Sequence, residues 1–252
     1  MIEAGFACRA IVRNGKTLPG GVESVAGDIL DPSTLAHAVT GVSAIIHLAA
    51  VLRTPEADDI WRVNLEGTRH LIDAARMHAP NVRFIMASTG LVYDADGTRP
   101  AREDDPCDPQ MPYPASKVAA EALVSKSGLN WSIQRFGFVY GDADGHIAML
   151  PRLAGMFGWH PANRLSLVHH RDIATAMVLA LTGAMDGQSV NVVDDAPTSI
   201  YELTQIAGAP VEPSAEPLSK PWFGQLDGGR ARQLGFKPAV RTVYQAVQEG
   251  LM

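Results

Sequence analysis

Residues 82–93 read Val-Arg-Phe-Ile-Met-Ala-Ser-Thr-Gly-Leu-Val-Tyr. The run Val82–Ala87 predicts a strand, and Ser88 and Thr89 follow it directly, with Gly90 behind them. In a parallel sheet, ligands gather beyond the carboxyl ends of the strands, so hydroxyls placed there can hydrogen-bond a substrate oxygen. An ordinary turn accounts for the same residues, since Ser and Thr are common in turns. The flanking sequence decides between the two.

Working outward, short β-branched runs alternate with helical stretches, the rhythm of stacked βαβ units. Upstream, strands are expected at Ala7–Val12, at Val22–Ala26 after the turn Pro19-Gly20-Gly21, and at Ala44–Leu48, whose unbroken apolar run suits a strand buried on both faces. Asp31-Pro32-Ser33 supplies an N-cap acid and an N1 proline for a helix to about Val39. A longer helix is expected from Ile60 to Ala79, with Leu65, Thr68, Leu71, Ile72 and Ala75 at helical spacing. Downstream, Pro114–Ser127 reads as a helix and Trp131–Phe136 as a strand. From about Asp142 the pattern loosens, with helices expected at Arg171–Thr182, Ser199–Ala207 and Val240–Leu251, and short strands at Leu165–Val168 and Ser189–Val193. Ala209–Pro221 reads as a surface loop. The fold class is therefore α/β.

Composition fits an enzyme-like globular chain: 252 residues, 46% hydrophobic and 19% charged. A net charge of -6 without a Lys/Arg cluster argues against nucleic acid as a partner. No apolar run approaches the roughly 20 residues of a membrane span, and the first residues lack the pattern of a signal peptide. A cytoplasmic protein is expected. The two cysteines, Cys8 and Cys107, suggest neither a disulfide framework nor a metal site. Nor is a metal site read elsewhere. His169 and His170 are adjacent and point different ways on a strand, Glu103-Asp104-Asp105 reads as a solvated run, and His47 as a satisfied core histidine.

The strongest chemical signal is Tyr113-Pro114-Ala115-Ser116-Lys117. Four residues apart on a helix, Tyr113 and Lys117 share one face. A phenol of pKa about 10 is a poor base at neutral pH, and a nearby ammonium favours its phenolate. The pair can then move a proton. The same spacing also arises by chance, so its weight depends on company.

That company is an ordered series: Gly27-Asp28-Ile29, His47-Leu48-Ala49-Ala50, Asn64-Leu65-Glu66-Gly67-Thr68, Ser88-Thr89 with Val92-Tyr93, Tyr113 with Lys117, and Arg135 with Val139-Tyr140-Gly141. It continues through Val168–Ala174 and Ala231–Pro238. The series resembles the extended short-chain dehydrogenase/reductases, the NAD-dependent epimerase/dehydratase family, over essentially the whole chain. The resemblance implies a Rossmann-like doubly wound parallel sheet with a small C-terminal substrate lobe. Residues 1–141 plus 165–195 would bind the dinucleotide, and 142–164 plus 196–252 would form the lobe. It implies NAD or NADP as cofactor, a small-molecule substrate and a homodimer built on Pro114–Ser127 and Ile60–Ala79.

By position, the resemblance gives Asp28 and Ile29 the adenine and lets the backbone at Ala49 and Ala50 approach the cofactor. Asn64 would brace the nicotinamide half, or be a buried structural amide. Thr89, or less favourably Ser88, would orient the substrate oxygen. Tyr113 would be the acid/base, and Lys117 would bind the nicotinamide ribose and tune Tyr113. Arg13 would pair with a 2′-phosphate and favour NADP, or be an ordinary surface arginine.

The chain departs from the family pattern twice. The first strand and its glycine-rich turn, which present backbone N–H groups to the pyrophosphate, are not in this sequence; Met1–Gly5 resembles the last turn of the helix that follows them. An upstream start, a clipped chain and a true loss of the loop each account for this, in that order of preference. Second, Phe138 stands where nucleotide-sugar enzymes of the family carry an Asn, which removes an amide donor and makes a smaller ketone or alcohol equally plausible. The expected function is NAD(P)-dependent chemistry at a hydroxyl or carbonyl carbon. The alternative is a catalytically degenerate dinucleotide-sensing or scaffold protein on the same fold.

Overall fold

The computed structural model describes residues 1–13, 17–54, 56–93 and 96–252. The chain runs β1 (Cys8–Val12), β2 (Val22–Ala26), α1 (Leu35–Val39), β3 (Ala44–His47), α2 (Ala57–Trp61), α3 (Gly67–His78), β4 (Arg83–Thr89), α4 (Pro112–Ser125), β5 (Asn130–Phe136) and β6 (Phe138–Tyr140). It continues through α5 (His146–Phe157), β7 (Arg164–Leu165), β8 (Leu167–His169), α6 (His170–Leu181), β9 (Gln188–Val192), β10 (Thr198–Ser199), α7 (Ile200–Ile206), α8 (Gly229–Gln233) and α9 (Val243–Gln248). The fold is α/β and Rossmann-like, as the alternating pattern requires. β1 pairs with β2 and β3 with β4, both in parallel, and one sheet runs in the order β3-β4-β5-β9.

Several elements differ from expectation, each for a local reason. The helix expected from Ile60 begins at Ala57 and passes through a π-helical turn over Arg62–Glu66. Such bulges cluster at functional sites, and this one carries Asn64. Pro112, not Pro114, opens α4 at its first position. Helices α5 and α8 were not expected, because Pro151 and the glycines around them mask the helical period. β3 is half-buried rather than covered on both faces, because it lies at an edge of its sheet; Leu48, just beyond it, is 62% exposed.

The chain divides into two compact units. One comprises Met1–Ser88, Pro109–Ile133 and Met177–Gln188, the other Thr89–Asp108, Gln134–Ala176 and Ser189–Met252. The core of the first unit is built from Phe84 and Met86 of β4, Leu71, Ile72 and Ala75 of α3, and Ala120 and Val124 of α4. Gly67 is needed there because a Cβ would sit 2.9 Å from Ile29 Cγ2. In the second unit Tyr140, Leu150, Leu153, Leu167, Ile200, Leu203 and Val243 form the core. Beside it Glu103 is buried, contrary to the solvated reading, because its Oε1 accepts the Asn191 N–H at 2.8 Å. The expected surface loop over 209–221 is irregular and largely exposed.

Candidate active site

In the first unit, helix α4 presents Tyr113, Lys117 and Glu121 at four-residue spacing on one face. Lys117 is 3% exposed. Burial lowers its pKa to about 8, against the opposing pull of the Glu121 carboxylate. Burial also pushes the Tyr113 phenol up from its ordinary value. The lowering of the Tyr113 pKa expected from Lys117 is thus not expressed in this arrangement.

Two braces hold the helix. Asn64, 1% exposed, accepts the Val51 N–H at 2.7 Å and donates to the Val51 carbonyl and to Ser116 Oγ, each at 3.0 Å. Ser116 Oγ in turn donates to the Tyr113 carbonyl at 2.7 Å. The π-turn residue is thereby tied to the turn of α4 that carries Tyr113. The second brace is Ser88, whose Oγ donates to Glu121 Oε1 at 2.5 Å. Sequence reasoning passed over Ser116 and Glu121. Ser116 stood inside the quoted Tyr-Pro-Ala-Ser-Lys run, and Glu121 lies one further helical turn beyond Lys117.

The remaining expected residues sit at carboxyl ends of parallel strands. Arg13 is exposed just past β1, and Asp28 and Ile29 follow β2. The exposed Ala49 and Ala50 follow β3, and Ser88 and Thr89 close β4. Asp28 Oδ1 accepts the Leu30 N–H at 2.9 Å, fixing the turn there. His47 is the satisfied core histidine expected: its Nε2 meets Thr68 Oγ1 at 2.8 Å, and burial, with a smaller effect from Lys117, lowers its pKa to about 3. Thr89 belongs to the second unit, where its Oγ1 accepts the Leu91 N–H at 3.2 Å and caps a short turn. Phe138, also there, is half-buried on β6 with its ring edge toward His146. That unit also holds a cavity of about 350 Å³ lined by Ser166, Asp194, Asp195, Leu226, Asp227 and Arg232, among others. Burial raises the Asp194 carboxyl in its wall to about 8.

These groups can be tested against a dinucleotide. A buried ammonium and phenol on one helix face suit a ribose and a reacting oxygen, and the methyl side chains of Ala49 and Ala50 leave the exposed backbone after β3 approachable. Gly20 and Gly21 turn the chain into β2, and Gly27 packs against Thr34 and Ile11. Among the described residues, the ends of a dinucleotide have fitting partners, and no glycine-rich strand-to-helix turn stands at its pyrophosphate.

Comparison with known proteins agrees. UDP-glucose 4-epimerase of Mycolicibacterium smegmatis is 32% identical over 262 residues, covering 91% of this chain and 80% of that protein. D-erythronate dehydrogenase of Cupriavidus necator is 34% identical over 137 residues, 53% of this chain and 39% of that one. The crystal structure of a short-chain dehydrogenase/reductase superfamily protein from Agrobacterium tumefaciens with bound NAD superposes with a TM-score of 0.76 at 26% identity, covering 91% and 84% of the two chains. The model of the NAD dependent epimerase/dehydratase family matches residues 4–193. The chain belongs to that family, one of enzymes built around a nicotinamide cofactor.

Proposed function

We propose that this chain is an NAD(P)-dependent oxidoreductase or epimerase-type enzyme acting at a hydroxyl or carbonyl carbon of a small substrate. The observation that carries the reading is the braced α4 face, with Tyr113 and the buried Lys117 one turn apart and Asn64 tied to Ser116 beneath them. Lys117 and the backbone at Ala49 and Ala50 would hold the nicotinamide riboside, and Asp28 and Ile29 the adenine. Bound NAD(P)H supplies a hydride to a carbonyl carbon, and NAD(P)+ accepts one from a carbinol. Tyr113 donates the matching proton to the carbonyl oxygen, or takes it from the hydroxyl in the reverse direction. Thr89 orients that oxygen, because the Ser88 hydroxyl is committed to Glu121. Burial raises the Tyr113 pKa, so the group rests as the neutral phenol at neutral pH.

Phe138 offers apolar surface where an amide would address a nucleotide sugar, so a compact ketone, alcohol, sugar acid or lactone suits the site as well as a nucleotide sugar does. A relative that is a D-erythronate dehydrogenase and one that is a UDP-glucose 4-epimerase bracket the choice. Residues 142–164 plus 196–252 form the substrate lobe in this reading. Arg13, exposed past β1, favours NADP through a 2′-phosphate. No helix among the described residues is long and apolar enough to cross a membrane; we take the enzyme as cytoplasmic and dimeric through α4 and the α2–α3 helix. Light scattering on the purified chain tests the dimer.

Turnover of a panel of small hydroxy and keto compounds with NADH and NADPH tests the activity. Tyr113→Phe should reduce kcat by about 10²–10⁴-fold with an unchanged far-UV spectrum; wild-type turnover in that variant refutes the mechanism. The alternative reading is a catalytically degenerate dinucleotide-sensing or scaffold protein on the same fold. Fluorescence titration with NADH and NADPH beside the turnover panel separates the readings: binding with turnover supports the enzyme, and no binding of either cofactor favours the degenerate protein.

A further inference from the structure

The second unit carries a side-chain cluster that nicotinamide chemistry does not use. Asp144, His146 and His170 bring one carboxylate oxygen and two ring nitrogens within 4.8 Å of one another. Asp144 Oδ2 lies 2.8 Å from His146 Nδ1 and 2.9 Å from His170 Nε2. The two rings come from different elements, since His146 opens α5 and His170 opens α6. His169 turns away, its Nε2 meeting the Leu251 carbonyl at 2.8 Å. The adjacent histidines therefore do diverge, but His170 finds a distant partner in the Asp144–His146 turn.

The backbone beside this cluster is held in an unusual form. Asp142 and Ala143 have φ of 48° and 61°, the left-handed region that non-glycine residues avoid. Such strain persists only where surroundings over-determine it, and it concentrates at ligand clamps. Here the Asp142 and Ala143 N–H groups donate to the Leu251 and Met252 carbonyls at 3.0 and 2.9 Å. The Arg171 guanidinium pairs with Asp142 at 3.1 Å. Asp144 meanwhile faces both imidazoles through Oδ2, while its Oδ1 accepts the His146 backbone N–H at 2.8 Å; His146 Nδ1 also lies 3.0 Å from the Val139 carbonyl.

We propose that Asp144, His146 and His170 bind one divalent transition-metal ion, with zinc the preferred occupant. Two imidazoles and a carboxylate are borderline donors suited to zinc, whereas calcium and magnesium call for oxygen-rich shells. Three protein ligands leave one tetrahedral position for water. Zinc–ligand bonds of about 2.0–2.2 Å place tetrahedral ligand atoms roughly 3.3–3.5 Å apart. The two carboxylate–imidazole spacings need to open by only about half an ångström for that geometry, and the His146 and His170 side chains are 43% and 40% exposed and able to turn to set the spacing between their nitrogens. On binding, His146 Nδ1 and His170 Nε2 present lone pairs to the ion, and any ring proton stays on the opposite nitrogen, Nε2 of His146 and Nδ1 of His170. The ion ties the 141–146 loop to the head of α6. This assignment is independent of the proposed hydride chemistry.

The test is metal retention. Tag-free chain is stripped with a chelator, loaded with Zn²⁺ and desalted, and its metal content is measured; Co²⁺ loading reports geometry through its visible absorption. Wild type should retain about one equivalent and give the tetrahedral Co²⁺ spectrum. Asp144→Asn and the paired His146→Ala, His170→Ala variant should retain less than about a tenth of that, and His37→Ala should match wild type. Because Asp144 shapes its own turn, His170→Gln, checked by far-UV circular dichroism, gives the same answer without disturbing the loop. Failure of wild type to retain zinc, or equal retention in the paired variant, overturns the proposal.

Discussion

Within the first unit, β4 and β1 are written in similar residues and meet different fates. Phe84, Ile85 and Met86 of β4 are fully buried, whereas Ile11 of β1 is 37% exposed and no residue of β1 is fully covered. The difference lies in what covers them. β4 is flanked by β3 and β5 and packs on α3 and α4, whereas β1, among the described residues, pairs with β2 alone. Apolar, β-branched composition makes a strand, and neighbours make it a core. The expected active-site residues divide in a similar way: Ser88 and Asn64 are held by buried hydrogen bonds, whereas Arg13, Asp28 and Ile29 lie past β1 and β2, a two-stranded ribbon that by itself is marginal.

Four outcomes would sharpen or break this contrast. The largest effect belongs to the pinned half: Lys117→Met should cut turnover about 10²-fold or more while the fold survives. In the wild type, activity that depends on the ammonium should fall as pH rises through about 8, where Lys117 loses its proton. An unchanged pH profile in Lys117→Met would remove Lys117 from the mechanism. Second, Phe84→Ala should cost about 3–5 kcal/mol and Ile11→Ala less than about 1 kcal/mol by urea denaturation. Equal costs would show that β1 is as well covered as β4. Third, Asn64→Ala should cost about 2 kcal/mol, because it strands the Val51 amide groups. Amide exchange should quicken at Val51, while β1 and β2 already exchange fast in the wild type.

The fourth effect is a slope in pH. His47 has a folded pKa of about 3, well below its ordinary 6.5. Between these values the unfolded chain binds a proton that the folded chain refuses, so stability falls as pH drops from 6.5 toward 3. Thermal melts from pH 7 to 4 should show this fall, and His47→Gln should flatten it. A slope unchanged in the variant would place the acid sensitivity elsewhere.

Much of this was legible in residue order. Strand and helix runs through β5 carried their period openly, and Asp31-Pro32 announced its helix start through a side chain that does cap Ser33 N–H. Tyr113 and Lys117 declared a shared helical face by spacing alone. Less was legible after Asp142, where α5 contains Pro151 and α8 begins between glycines, so local signals argued against helices that packing sustains. The burial of Glu103 was illegible for a related reason: an acid in a Pro-rich loop looks solvated until a buried backbone N–H 88 residues away needs an acceptor.

The sequence by itself determined most of the element types through β5, by periodicity, placed Tyr113 and Lys117 on one helical face, by spacing, and pointed to the family through an ordered series of motifs. Tertiary structure alone decided that Ser88 is spoken for by Glu121, that Asn64 is bolted to Ser116, and that His170 faces Asp144 and His146. Each of those pairings joins residues 24 or more positions apart. Helical or strand period says which way a side chain points, and only the packing of the elements says what it meets there.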